Sequence, residues 1–131
     1  MNATISKFSA KGSVVAPPSK SLAHRLLIAA ALKKGRTVVK NVGSSTDVTR
    51  TCDCLSALGA KITIENGNAE VYGIKKSFAV GEVSENFVGE VGEKVAVLNA
   101  GESGSTLRFL MPVVAALGIR AEFICDGGLL R

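Results

Sequence analysis

The sequence predicts a mixed fold of the α/β or α+β class, and three observations support this prediction. Stretches with apolar residues at helical spacing alternate with short strand-like stretches along the chain. A length of 131 residues, 47% of them apolar, is enough to bury a core in one compact domain. A weak internal repeat places the same order of helix, glycine and strand in two parts of the chain.

The N-terminal part predicts strands, one helix and a further strand. Residues 4–15 alternate apolar and polar positions, which is typical of one or two short strands, and the double proline that follows ends them. Ser19 then caps a helix over residues 20–32, which Gly35 closes. Residues 37–40 form the next strand, because three of the four are β-branched.

A second helix is predicted over residues 46–58, with Thr46 or Asp47 as its N-cap. Its apolar residues recur at the spacing of one helix face, so that face is expected to be buried. The residues on this predicted buried face are Val48, Cys52 and Leu55.

A β-hairpin is the clearest local signal in the middle of the chain. Asn66-Gly67 lies between the strand-like residues 60–64 and 69–72, and this pair accepts the positive φ angles of a tight turn. Residues 73–94 are rich in Gly and Glu, and no element boundary can be drawn in them. The only elements predicted there are short strands around Phe78 and Val88.

The C-terminal part predicts a strand, a helix and a strand. Residues 95–98 form the first strand, and a glycine-bearing turn over 99–104 leads into a helix over 105–117. Pro112 lies inside this helix, where it removes one backbone hydrogen bond and is expected to kink the first turn. Residues 121–125 form the last strand.

The composition excludes several classes of function. The net charge of +5 comes from scattered lysines and arginines, and with no Trp and a single Tyr the chain lacks a stacking surface for nucleic acid. Such a charge suits acidic small molecules.

The longest apolar run, 26–32, is too short to span a bilayer, and no signal peptide begins the chain, so a cytoplasmic location is expected. Three cysteines form neither a disulfide framework nor a metal set.

Two predicted helices begin with positive charge, although a helix N-terminus already carries partial positive charge and favours acids. Lys20 and Arg25 open the first helix, and Arg108 lies in the first turn of the third. Such an end attracts an anion, which N–H groups, hydroxyls and basic side chains hold together. Ser21 is four residues before Arg25 and shares its face. The alternative is a solvated helix end with an ordinary serine cap.

Residues 101–106 resemble a phosphate-binding turn, because glycines let backbone N–H groups approach an oxyanion. The lysine of a Walker loop is missing. The alternative is a strand-to-helix turn capped by Ser103 or Ser105, with Glu102 as a capping or orienting carboxylate.

Three further residue types are assigned structural roles. Asp47 is a helix cap that is also able to hold a basic side chain in position. His24 has no Asp or Ser partner nearby in the sequence and is expected to be packed or exposed rather than a general base. The cysteines are core residues.

The internal repeat aligns the two basic helix starts. Arg25 falls on Arg108, Leu27 on Leu110 and Gly35 on Gly118, and a short strand follows each glycine. Folds built from repeated units tend to place equivalent helix ends together. Lys20 is therefore expected to lie near Arg25 and Arg108.

Two motifs carry a resemblance to a known family. Pro18-Ser19-Lys20-Ser21 with His24-Arg25, and the run from Asn99 to Arg108 (NAGESGSTLR), resemble the two N-terminal signatures of the enolpyruvylshikimate-phosphate synthases. The resemblance covers nearly the whole chain. It implies repeated βαβαββ units, as part of one lobe of an inside-out α/β barrel, in which helix N-termini converge on a cleft.

The resemblance also implies an activity. Members of this family transfer the enolpyruvyl group of phosphoenolpyruvate to the 5-hydroxyl of shikimate 3-phosphate, in the shikimate pathway of aromatic amino-acid biosynthesis, without a metal or organic cofactor. Lys20 would contact both substrates and act in catalysis, and Ser21 and Arg25 would bind shikimate 3-phosphate. Gly104 and Ser105 would lie against phosphoenolpyruvate.

The remaining site residues match polar or charged family positions. Asp47 and Glu102 would orient other groups, and Arg108 would act electrostatically or structurally. Because family members are about three times longer than this chain, the resemblance implies a fragment that binds substrate weakly and does not turn over. Residues 1–17 would be strands of the other lobe, and 18–131 part of the substrate-binding lobe. Its partner would be the missing C-terminal lobe.

Two other functions stay open from the sequence. One is the related enolpyruvyl transferase that acts on UDP-N-acetylglucosamine, which has the same architecture. The other is a non-catalytic module that binds polyanions, whose affinity would depend on scattered lysines such as Lys33, Lys34, Lys75 and Lys76.

Overall fold

The computed structural model describes residues 3–74, 87–88 and 95–130. The elements in chain order are α1 (Lys20–Leu32), β1 (Arg36–Val39), α2 (Thr46–Ala57), β2 (Lys61–Glu65), β3 (Asn68–Tyr72), β4 (Phe87–Val88), β5 (Val95–Gly101), α3 (Gly104–Leu117) and β6 (Ala121–Cys125), followed by a 3₁₀ turn at Gly127–Leu130. The order α1-β1-α2-β2-β3 matches a βαβαββ unit from its first helix onward, and β5-α3-β6 matches the start of another. This architecture confirms the mixed fold class.

The strands form two three-stranded sheets of different kinds. The first has the order β1-β3-β2 and is antiparallel throughout, with Val38 opposite Glu70 and Ile62 opposite Val71. The second has the order β4-β5-β6, in which β4 runs antiparallel to β5 and β6 runs parallel to it. A parallel pair needs a crossover, and α3 provides it.

The predicted hairpin joins β2 and β3. Asn66 and Gly67 both have positive φ, at 49° and 73°, as a tight turn between twisted strands requires. Gly118 also has a positive φ, of 67°, and its N–H caps the end of α3 as a left-handed residue.

The core lies between the helices and the inner faces of the sheets. Helix α1 packs on β1 and β3, α2 packs on β5, and the three helices contact one another. Alternate residues of the strands point into this core, including Ala69 and Val71 of β3 and Ala96 and Leu98 of β5. The largest core side chains from the helices include Leu27, Leu55 and Leu110, all fully buried.

Each helix begins at a serine cap. Ser19 Oγ accepts the Leu22 N–H at 3.4 Å, as predicted, and Ser103 Oγ accepts the Thr106 N–H at 3.3 Å. The cap of α2 is Ser45 and not the predicted Thr46 or Asp47, because the Ser45 hydroxyl accepts the Val48 N–H at 3.4 Å and Asp47 lies inside the first turn.

Two local predictions were wrong. Residues 4–15 contain no strand, because a strand needs a neighbour for its N–H and C=O groups and the described residues provide none for this segment. Its apolar side chains, such as Val14 and Val15, are exposed. Helix α1 was predicted to be closed by Lys33-Lys34 and Gly35; it ends at Leu32 with the extended Lys33 as its C-cap, so Gly35 lies in the following turn and does not cap the helix.

Other predictions have mixed outcomes. The short strand predicted around Val88 is β4, whereas Phe78 lies outside the described residues. Cys52 and Cys54 are buried, as predicted for core residues. Burial raises the pKa of the Cys52 thiol to about 11 and that of the Cys54 thiol to about 12, so neither is a ready nucleophile.

The described residues contain neither a membrane-spanning helix nor a metal-binding cluster. No helix there combines the length and the apolar content needed to cross a membrane. No group of three or more His, Cys, Asp or Glu side chains there is arranged to hold a metal ion.

Candidate anion-binding site

The first turns of the three helices meet at one place. Lys20 Nζ of α1 donates to Asp47 Oδ2 of α2 at 2.5 Å. The Arg25 guanidinium lies over the Phe109 ring of α3, with 5.0 Å between the central carbon and the ring centroid. The Thr106 hydroxyl of α3 lies 3.3 Å from the Asp47 carbonyl oxygen. The sequence-based expectation that the amino ends of α1 and α3 converge therefore agrees with the structure.

Positive charge dominates this convergence. Neither α1 nor α3 has an acidic residue in its first turn, whereas α2 has Asp47. Lys20 and Arg25 therefore add to the partial positive charge of two helix ends, and Asp47 offsets only part of it. Such a field attracts an anion such as a phosphate or a carboxylate.

Lys20 and Arg25 are both held in defined positions at the surface. The Lys20 and Asp47 side chains are 53% and 30% exposed, so the ion pair that they form is open to a ligand. The Arg25 guanidinium donates to both Ser21 oxygens, to the carbonyl at 3.0 Å and to Oγ at 2.5 Å. Ser21 is thereby a partner of Arg25, as their spacing predicted.

Free backbone donors lie at both basic helix ends. Among the described residues, the N–H groups of Ser21 and Ser105 have no hydrogen-bond partner, as expected for the first turn of a helix. The Gly104 N–H instead bonds the Glu102 carbonyl at 3.1 Å. The donor available to a ligand at the start of α3 is therefore that of Ser105, and Gly104 contributes by lacking a side chain.

Two predicted site residues form no ion pair or hydrogen bond with Lys20 or Arg25 among the described residues. The exposed Arg108 makes no ion pair or hydrogen bond with other described residues. The Glu102 carboxylate lies directly against Gly127 in the 3₁₀ turn and pairs with neither Lys20 nor Arg25. The structure therefore brings Lys20, Ser21, Arg25 and Asp47 together with the start of α3, where Gly104 and Ser105 precede Thr106.

A row of buried polar side chains, linked by short polar contacts, lies behind the site and was not predicted from the sequence. We call it the hydroxyl chain, and it consists of Ser103, Thr106, Thr51 and His24. Ser103 Oγ lies 2.7 Å from Thr106 Oγ1, which lies 2.8 Å from Thr51 Oγ1. Thr51 Oγ1 in turn lies 2.6 Å from His24 Nδ1. All four residues are buried, and the hydroxyl chain links the three helices to one another.

His24 is a packed residue, which was one of its two predicted outcomes. Its side chain is fully buried, and its ring meets Phe109 edge to face at a centroid distance of 6.2 Å. Nε2 has no hydrogen-bond partner. Burial lowers the pKa of His24, and the positive charges of Lys20 and Arg25 lower it further, whereas Asp47 acts in the opposite direction.

A sequence signal for the hydroxyl chain exists in hindsight. His24, Thr51 and Thr106 each occupy a helix position at i−3 or i−4 from a core leucine, where an apolar residue is normal. These leucines are Leu27, Leu55 and Leu110. A polar side chain on such a face needs a buried partner, so the pattern predicts that each of the three has one, without indicating which.

Comparisons with known proteins agree with this fold. The sequence matches the profile of the EPSP synthase (3-phosphoshikimate 1-carboxyvinyltransferase) family over residues 6–129. A protein of Clostridium beijerinckii named 3-phosphoshikimate 1-carboxyvinyltransferase is 41% identical over 118 residues, which cover 90% of this chain and 26% of the relative. A protein of the same name from Clostridium perfringens is 40% identical over 119 residues, covering 91% of this chain and 25% of the relative.

Solved structures show the same fold. Two structures of EPSP synthase from Acinetobacter baumannii superpose with TM-scores of 0.66 and 0.68, at 21% and 23% identity. Each superposition covers 90% of this chain and 24% of the solved chain. The chain thus spans about a quarter of the length of the relatives that it matches. On the family match and the Clostridium relatives, the chain belongs to the EPSP synthase family.

Proposed function

We propose that this chain forms part of the active site of an enzyme that transfers the enolpyruvyl group of phosphoenolpyruvate to the 5-hydroxyl of shikimate 3-phosphate. Inorganic phosphate is the second product. The observation that carries this proposal is the convergence of the N-terminal parts of the three helices around Lys20 and Arg25, shown by the Lys20–Asp47 and Arg25–Phe109 contacts, in a member of this family. Both substrates are phosphorylated anions, and such a positive convergence binds anions.

The roles of the residues follow from their positions. Lys20 lies between the starts of α1 and α2, where its ammonium group is able to contact both substrates, and Asp47 orients it. Ser21 and Arg25 form one unit on α1 that binds the phosphate of shikimate 3-phosphate through hydroxyl and guanidinium donors. Gly104 and Ser105 receive phosphoenolpyruvate at the start of α3.

Charge stabilisation is the contribution of this part of the site to catalysis. The departing phosphate of phosphoenolpyruvate carries negative charge, which the Lys20 ammonium and the free Ser105 N–H are placed to stabilise. Glu102 lies against Gly127 and Arg108 is exposed, so we assign Glu102 an orienting role and Arg108 an electrostatic or structural role. No metal or organic cofactor is part of this proposal.

The rest of the site comes from a further lobe. The chain spans about a quarter of its relatives, so we propose that it binds substrate weakly alone and needs the C-terminal lobe for turnover. Residues 1–17 are assigned to that other lobe, where their exposed apolar side chains, such as Ile5 and Phe8, would find partners. Residues 18–131 belong to the substrate-binding lobe. Since both substrates are intracellular metabolites in this proposal, the enzyme acts in the cytoplasm.

A chimera tests this proposal. The matching quarter of the Clostridium beijerinckii relative is replaced by this chain, and phosphate release is measured with phosphoenolpyruvate and shikimate 3-phosphate. The chimera is expected to turn over, and Lys20→Met to abolish most of the activity. Lys33→Met is the matched control, because Lys33 is exposed at the opposite end of α1.

The outcomes separate the alternatives. A folded chimera that uses UDP-N-acetylglucosamine in place of shikimate 3-phosphate would overturn the assignment of the substrate. Polyanion affinity that falls equally in Lys20→Met and Lys33→Met would point instead to a non-catalytic binding module.

A further inference from the structure

The hydroxyl chain joins the three helices one turn inside the proposed anion site. His24 follows Lys20 by four residues on α1, so the two side chains lie on one face of that helix. Thr106 follows Ser105, whose N–H faces the site, and Thr51 follows Asp47 by four residues on α2. The residues of the hydroxyl chain on α1, α2 and α3 therefore each lie within one helical turn of a residue of the exposed site.

The contacts of Ser103 indicate which groups donate and which accept along the hydroxyl chain. Ser103 Oγ accepts the Thr106 N–H, so its own hydrogen needs an acceptor, and Thr106 Oγ1 is the nearest at 2.7 Å. Continued in this direction, Thr106 would donate to Thr51 over 2.8 Å, and Thr51 would donate to His24 Nδ1 over 2.6 Å. In the opposite direction the Ser103 hydrogen would have no acceptor among the described residues. The Asp47 carbonyl, at 3.2 and 3.3 Å from the two threonine hydroxyls, is the more distant acceptor.

The last hydrogen bond of the hydroxyl chain determines the tautomer of the His24 imidazole. An imidazole that accepts at Nδ1 carries its proton on Nε2 and is neutral. A buried hydroxyl that loses its acceptor is destabilising, so if Nδ1 were removed Thr51 would turn towards the more distant Asp47 carbonyl and disturb its contact with Thr106. Since Thr51 lies on α2 and Thr106 on α3, such a movement would separate the first turns that meet at Lys20.

We propose that His24 is a positioning residue for the anion site, acting through Thr51 and Thr106 to hold the first turns of α1 and α3 against α2. This inference rests on the proposed function, because it concerns the same site. His24 does not touch the ligand, and its role is to accept the last hydrogen bond of the hydroxyl chain.

Binding of inorganic phosphate to the chain tests this role. The amide shifts of Ser21 and Ser105 report the affinity, and Thr51→Val and His24→Leu are expected to weaken it about tenfold. His24→Asn is expected to retain affinity, because its amide oxygen replaces the Nδ1 acceptor. Thr37→Val is the matched control, since the Thr37 hydroxyl is also buried but has no partner.

Two results would overturn the inference. One is an equal phosphate affinity in Thr51→Val, Thr37→Val and the unchanged chain. The other is a histidine tautomer with the proton on Nδ1, measured by long-range ¹H–¹⁵N correlation of the imidazole, which needs neither ligand nor variant. If the unchanged chain does not bind phosphate at all, the proposed anion site of the isolated chain fails, and the tautomer still decides whether the hydroxyl chain ends as inferred.

Discussion

Lys20 and Asp47 form a hydrogen-bonded ion pair across the starts of two helices, with 2.5 Å between Nζ and Oδ2. The pair joins residues that are 27 positions apart in the sequence. Lys20 alone would be a mobile cation at a helix end where its charge is unfavourable. Asp47 therefore turns a flexible side chain into a positioned donor.

The first prediction concerns the energy of this pair. A double-mutant cycle of Lys20→Met and Asp47→Asn is expected to give a coupling of about 0.2–1 kcal/mol in the free energy of unfolding, because both side chains are partly exposed. The coupling should decrease at high salt. Urea denaturation measures it, and a coupling that does not respond to salt would contradict an electrostatic origin.

The second prediction concerns pH. The pKa of His24 is lowered in the folded chain, by burial first, so below the ordinary value of 6.5 the unfolded chain binds more protons than the folded one. The free energy of unfolding should therefore decrease as the pH falls from 6.5 towards the folded-state pKa. His24→Asn should lose this dependence, since the chain has only one histidine. Equal pH profiles for the two proteins would show that His24 does not titrate differently on folding.

The third prediction concerns Gly104. A side-chain carbon at this position would meet only the Leu129 Cδ2 atom, at the ordinary contact distance of 3.4 Å. Gly104→Ala should therefore fold with a stability within about 1 kcal/mol of the unchanged chain. In the chimera its affinity for phosphoenolpyruvate should fall about tenfold, because the methyl group restricts close approach to the helix start. A stable variant with unchanged KM for phosphoenolpyruvate would remove Gly104 from the site.

The fourth prediction concerns the packing of β3 on α1. A side-chain carbon on Gly73 would overlap the Lys33 carbonyl oxygen, which belongs to the backbone and has little room to move. Gly73→Ala is therefore expected to destabilise the chain by about 2 kcal/mol. Gly128→Ala is the control, because no atom lies within 4 Å of a side-chain carbon there. Similar unfolding midpoints for the two variants would contradict this close packing.

The sequence predicted the helices well because their signals are local. A serine cap and an apolar stripe lie within one segment, so the range Lys20–Leu32 agrees with the predicted one. Strands depend on a partner elsewhere in the chain. The alternating pattern of residues 4–15 therefore predicted strands that the described residues do not pair.

The candidate site was predicted only in part, because some of its features are local in the sequence and others depend on contacts between distant residues. The basic helix starts at Lys20 and Arg25 are visible in the sequence, and the repeat indicated their convergence with α3. The hydroxyl chain was missed because its contacts join residues that are 27 and 55 positions apart. Only the fold shows that a histidine, two threonines and a serine share one buried space.

The most direct test of the account is a titration of the ¹⁵N-labelled chain with shikimate 3-phosphate. If the basic starts of α1 and α3 form one anion site, saturable shifts should appear together at Ser21, Arg25 and Ser105, and Lys20→Met should abolish them. Shifts confined to lysines remote from these helix starts, such as Lys33 and Lys61, would contradict the central claim.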